Sequence, residues 1–245
     1  MGKNMHKFVN SFDTYKSIFN QPLSKLDSKY ETYCEQLNWK DSSSETYFHD
    51  HCKKSMKYLI YLEEKFRNPY EAALGMVFLY CWLFDNVLSK FSYDGKKLDI
   101  YKNMLKQLSE IEYSNLEYIF QEYIQEDIIE VLQILYDLYD KFNKFKNNEN
   151  CGSTNCYCAE YCVNLYRENI KDCTKKFNVG FCDELYNFRN HFNQYISSKV
   201  PCPGKDLYLP SNKSISKSVI ILVPFVILLA LFTLFFILLK VKIMI

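Results

Sequence analysis

The sequence is short of glycine and proline, six of each in 245 residues, which excludes collagen-like, linker-dominated and low-complexity chains. It also lacks an excess of either charge: 30 Lys and Arg stand against 29 Asp and Glu, interspersed along the chain. Without a basic patch there is no electrostatic footprint for nucleic acid. No glycine-rich phosphate loop, His-Glu-x-x-His or nucleophile elbow is present, so no enzyme is expected, with no catalytic residue and no cofactor. Residues 1–20 are broken by Lys3, Lys7, Asp13 and Lys16 and hold no apolar run of signal-peptide length. Gly2 invites a myristoylation reading, but His6 stands where that motif wants Ser or Thr. Strand-like alternation and internal repeats are missing too.

What is abundant is aromatic. Phe, Tyr and Trp make up 17% of the chain, led by 21 Tyr and 19 Phe, which supplies buried area and argues against disorder. The length suffices for one good core. The clearest periodicity predicts one long helix over residues 116–145. Its stripe of Ile124, Ile128, Val131, Leu135, Leu138 and Phe142 recurs at steps of three and four. Glu117, Glu122, Glu126, Glu130, Asp137 and Lys141 fall on the other faces. Upstream, Ser42 and Glu45 have the spacing of a capping box for a helix running toward Phe66, with Asn68-Pro69 ending it. Residues 72–84 form an uncharged run, too short to span a bilayer, that reads as the buried central helix of a bundle. Gly75 within it allows close packing. Asp94-Gly95 marks a turn before a short amphipathic helix through Leu108, and Gly180 punctuates two later helices.

Residues 219–239 carry no charge and would span roughly 31 Å as a helix, about the thickness of a bilayer's hydrocarbon. The expected architecture is therefore all-α: a globular multi-helix bundle with disulfides, followed by a single C-terminal transmembrane helix. Its expected parts are a helical, cysteine-bearing extracellular domain over 1–204, with a cysteine-rich part at 151–202, and a juxtamembrane stalk over 205–218. The span over 219–239 and a short cytoplasmic tail over 240–245 complete it. A lipid bilayer is the first expected partner. A glycosylphosphatidylinositol signal fits less well, because Lys240 and Lys242 follow the apolar stretch. Lys213 and Lys217 before it balance those two, so charge does not fix orientation.

The ten cysteines are Cys34, Cys52, Cys81, Cys151, Cys156, Cys158, Cys162, Cys173, Cys182 and Cys202. An even total with one dense cluster suggests disulfides in an oxidised, exported domain. Only three precede residue 150, so full pairing requires a bond between the two halves. Connectivity is open. So is a zinc site, with Cys156, Cys158 and Cys162 joined by Cys173, Cys182 or His191, although the spacing lacks the usual pairs. No Cys-x-x-Cys suggests a reactive thiol, and Cys81 is most simply a small buried side chain. His49-Asp50-His51-Cys52 reads as a solvated helix face with Cys52 turned inward, and Glu63-Glu64 and Glu126-Asp127 read as exposed charges. Asn212-Lys-Ser214 is a glycosylation sequon if its side of the membrane is lumenal.

The order of several motifs resembles one known family. These are Tyr30-x-x-Tyr33-Cys34, Cys52-Lys53-Lys54, the apolar run ending Tyr80-Cys81-Trp82-Leu83-Phe84, Leu138-Tyr139-Asp140-x-Phe142 and Cys158-x-x-Tyr161-Cys162. Together with the terminal apolar segment they resemble the Plasmodium interspersed repeat family, which includes the Vir proteins of vivax malaria. The resemblance implies a mostly helical variant surface antigen of infected red cells, serving immune evasion and, for some members, adhesion. Host cell-surface proteins or antibodies would be its partners, and the surface or exported membranes of the infected red cell, or the parasite membrane, its place. The competing reading is an intracellular tail-anchored structural or trafficking protein with a cytosolic domain and reduced cysteines.

Overall fold

In a computed structural model the described residues are 2–21, 28–36, 45–89, 97–149, 151–152, 154–171, 173, 179–199 and 202–211. Among them every regular element is helical: α1 (Gly2–Phe19), α2 (Ser28–Gln36), α3 (Glu45–Lys65), α4 (Pro69–Leu83), α5 (Lys97–Glu112), α6 (Leu116–Tyr123), α7 (Glu126–Lys146), α8 (Asn155–Asn169) and α9 (Val179–Ser198). Two compact units divide the chain, Met1–Leu209 and Pro210–Ile245, and all nine of these helices belong to the first. The Ser42 cap, the Asp94-Gly95 turn, the Asn212 sequon and residues 219–239 lie outside the described residues.

The axis of the bundle is α4. Asn68 caps it, its side chain accepting from the Tyr70 amide, while Pro69 takes the first position, where a missing donor costs nothing. Asn68-Pro69 thus starts this helix as well as ending α3. Residues 72–81 are buried without a break, so α4 shows no amphipathic stripe and is covered on all sides. At its centre the Phe78 ring meets Phe12, Tyr15 and Phe19 of α1, Tyr58 of α3 and Tyr136 of α7, with centroids 5.6 to 6.3 Å apart. Buried tyrosines fasten their hydroxyls to its carbonyls: Tyr15 donates to Glu71, Tyr58 to Gly75 and Tyr101 to Met76. At Gly75 an added Cβ would lie 2.8 Å from Leu62 Cδ2 and 3.1 Å from Tyr15 Cε1. That is the close approach expected of this glycine.

The expected order, a bundle followed by a single C-terminal transmembrane helix, needs correction. Among the described residues the one helix long and apolar enough to cross a membrane is Pro69–Leu88, in the middle of the chain. It outgrows the expected run because a wide π-turn, Phe84–Leu88, continues α4 with Ser89 N–H bonded to the Phe84 carbonyl at 2.9 Å. Its most apolar stretch is 72% buried inside the fold, so a single length and composition serve a core helix here.

The long helix expected over 116–145 is two helices. Ile124 and Gln125 take extended backbone, and the Ile124 amide closes α6 on Phe120 before α7 begins at Glu126. The apolar stripe survives the break, with all six of its members buried. Gly180 sits at the second residue of α9.

Candidate functional site

The described cysteines place four bonds. Cys34–Cys52 joins α2 to α3, and Cys151–Cys158 ties the approach of α8 to its first turns. Cys156–Cys202 joins α8 to the segment after α9, while Cys173–Cys182 closes onto the start of α9. Cys81 and Cys162, counted among the expected disulfide cysteines, are buried free thiols. None of the four bonds links the halves before and after residue 150. The zinc reading loses Cys156, Cys158, Cys173 and Cys182 to disulfides, and among the described residues no group of His, Cys, Asp or Glu is placed to hold a metal. Burial pushes the Cys162 thiol up, away from the reactive thiolate. In the His49-Asp50-His51-Cys52 stretch, Asp50 is exposed and Cys52 is buried, as expected. His51, however, stacks on Trp82 with centroids 5.3 Å apart. Glu63 is more than an exposed charge, since its Oε1 accepts from the Asn115 amide at 3.2 Å.

Residues 202–209 form a strap across α8 and α9. Beyond the Cys202 bond, Lys205 pairs with Glu160 at 2.8 Å, and Arg167 reaches both Asp206 and the Tyr208 carbonyl. Leu207 and Leu209 are buried. Asn193 clasps Leu209 from both sides, donating to its carbonyl at 2.9 Å and accepting from its amide at 3.0 Å, while Arg189 Nε donates to the same carbonyl. Residues 205–209, expected in a stalk, therefore pack on the helices.

Two polar features lie within the bundle. The first is a groove of about 740 Å³ between α1, α7 and α9. Along α9 its wall is Glu184, Asn187, His191, Gln194 and Ser198, spaced at three and four residues so that all share one face. Asn10 and Asp13 face it from α1, and Asn143 and Lys146 from the end of α7. Phe12, Tyr139, Phe142 and Tyr195 form the floor. The side chains are already oriented: Asn187 donates to Glu184 Oε1 at 3.2 Å, Asn143 donates to Asp13 Oδ1 at 3.2 Å, and the Lys146 ammonium lies over the Phe142 ring.

The second feature is a buried charge cluster. Asp140, 2% exposed, accepts from Lys16 of α1 at 2.9 Å and pairs with Lys144 at 2.7 Å. Lys141 bridges to Asp85 in the π-turn at 3.0 Å, and Tyr161 of α8 donates to Asp137 Oδ2 at 3.5 Å. Burial, reinforced by the Asp85 carboxylate and opposed by Lys141, pushes the Asp137 carboxyl up to about 7. Burial alone would raise Asp140 as well, but Lys16 and Lys144 hold it below the usual carboxylate range. Burial works against the charge on Lys141, yet Asp85 and the other two carboxylates keep it above its ordinary value. The cluster pins four elements together.

Asp137 and Lys141 were expected on polar faces. The signal against that was local: from Ile134 through Phe142 the residues between these charges are Leu135, Tyr136, Leu138 and Tyr139, leaving no wet side. The groove residues carried no signal, because polar residues on α9 look the same in sequence whether they face solvent or a cleft.

No curated protein matches the chain, and no solved structure does. A family model described as Plasmodium vivax Vir protein matches residues 6–219, nearly the whole of the disulfide-bearing bundle and its strap. The chain therefore belongs to the Vir family, non-catalytic variant surface antigens of malaria parasites implicated in immune evasion and adhesion.

Proposed function

We propose that the unit Met1–Leu209 is displayed outside the parasite, on surface or exported membranes of the infected red cell, where it presents a changeable exterior to antibodies and host cell-surface proteins. Membrane association comes with the family. The observation that carries the display reading is the set of four disulfides, since such bonds form and persist in oxidising compartments. An antigen must tolerate surface change without losing its fold. Here stability resides in the aromatic packing around α4 and in the bonds, leaving exposed helix faces and the 147–149 connection free to vary. Tyr113, Tyr118, Tyr157 and Tyr208 stand exposed, side chains of a type enriched at protein interfaces.

The test is protease added to intact infected cells, followed by electrophoresis with and without reductant. Loss of the domain to external protease, and faster migration without reductant, is the expected result. A protected, fully thiol-reactive domain would instead assign the chain to an intracellular structural or trafficking role.

A further inference from the structure

We propose that the groove between α1, α7 and α9 is a binding site for a neutral oligosaccharide. The proposal deepens the reading of a displayed domain and rests on it for its biological setting. The volume, about 740 Å³, lies within the range of small-ligand pockets. Its walls hold four carboxamides, Asn10, Asn143, Asn187 and Gln194. Each offers a donor and an acceptor on one side chain, which is what a sugar hydroxyl, itself both donor and acceptor, requires. Glu184 adds an acceptor only 3% exposed, held by Asn187 at the groove wall. Tyr139 and Tyr195, half-buried in the floor, present ring surface for the C–H side of a sugar.

Other ligand classes fit worse. Among the described residues Lys146 is the one fixed cation lining the groove, against the carboxylates of Asp13 and Glu184, so phosphates and nucleotides meet net repulsion. Polar side chains line both walls, which does not suit an acyl chain. The common modes of peptide recognition need a free strand edge, an apolar trough or an arginine cluster. This groove is walled by helices, has no arginine among the described residues that line it, and buries Phe12 and Phe142 almost completely.

The test is equilibrium binding of the purified full-length chain in detergent to fluorescently labelled lactose and N-acetyllactosamine oligomers and to their sialylated counterparts. Saturable binding to a neutral oligomer is expected. Gln194→Ala and Asn187→Ala should each weaken it at least tenfold, whereas Glu122→Gln on α6 leaves it unchanged. Gln194 is exposed, so its truncation should leave the melting midpoint where it was and keep the comparison clean. No binding to any neutral oligomer, preference for the sialylated set, or binding indifferent to both groove substitutions would each overturn the proposal. Neutral-sugar binding by a chain that proves protease-protected on cells would sink the display reading alone. An accessible domain that binds no neutral sugar would sink this one alone.

Discussion

At the scale of single residues, Asp137 should give the domain an unusual dependence on pH. Its carboxyl titrates near 7 in the fold, because of burial and Asp85, against about 3.9 in an unfolded chain. The folded state therefore holds this proton more tightly. The associated stability is complete below about pH 4 and is lost as pH rises through 7. The shift corresponds to something on the order of 4 kcal/mol. Asp140 acts in the opposite sense: with its folded pKa below the usual range, its contribution is present above about pH 4 and falls away in stronger acid. Between them the two carboxylates place the optimum near pH 4, where the Asp140 contribution is in place and the Asp137 contribution has not begun to fall. Asp137→Asn should raise the urea midpoint at pH 8 and flatten its change between pH 5 and 8. A variant that keeps the wild-type slope would assign the effect to another group. Gly75 supports a second expectation. A valine there must displace the fully buried Leu62 and Tyr15, the latter held by its bond to the Glu71 carbonyl. Gly75→Val should cost roughly 1–3 kcal/mol in denaturant unfolding.

Among the elements, the strap depends on one covalent bond. Cys156–Cys202 closes a loop of 46 residues, for which chain entropy predicts a stabilisation of about 4 kcal/mol at most. Cys202→Ser should lose a few kcal/mol and expose the Leu209 amide to hydrogen exchange. Retained protection at Leu209 would mean that Asn193 and Arg189 hold the segment unaided. Much of this level was legible in sequence: the buried α4, the apolar stripe from Ile124 to Phe142, and the close approach at Gly75. The break between α6 and α7 was not, because neither Gly nor Pro marks it and both helices bury the same stripe. The disulfide pattern was equally hidden. Cys158 and Cys162 lie one turn apart and are buried alike, and only the approach of Cys151 to the first turns of α8 leaves one bonded and the other free. Residues of the groove come from helices far apart in sequence, so no spacing could report it.

Across the whole molecule, covalent and non-covalent cohesion are unevenly shared. Residues 69–146 contain no disulfide and rely on rings and tyrosine hydroxyls around α4, whereas α8, α9 and the strap carry three bonds. Reduction should therefore loosen the molecule in order. With a phosphine reductant, hydrogen exchange is expected to accelerate in α8, α9 and residues 202–211 while α4 and α7 keep their protection. Uniform loss of protection would show that the bundle is one cooperative unit whatever its bonds.

The strap also determines how the domain bears force. A pull arriving from beyond Pro210 reaches the clasp of Asn193 on Leu209 first, where paired hydrogen bonds are loaded together. If these yield, about seven residues pay out before Cys202 takes the tension and passes it through a covalent link into the first turns of α8. α9 is bypassed and its packing against α1 and α7 is spared. Under load at Leu209 the strap would therefore lengthen by a fixed step and stop.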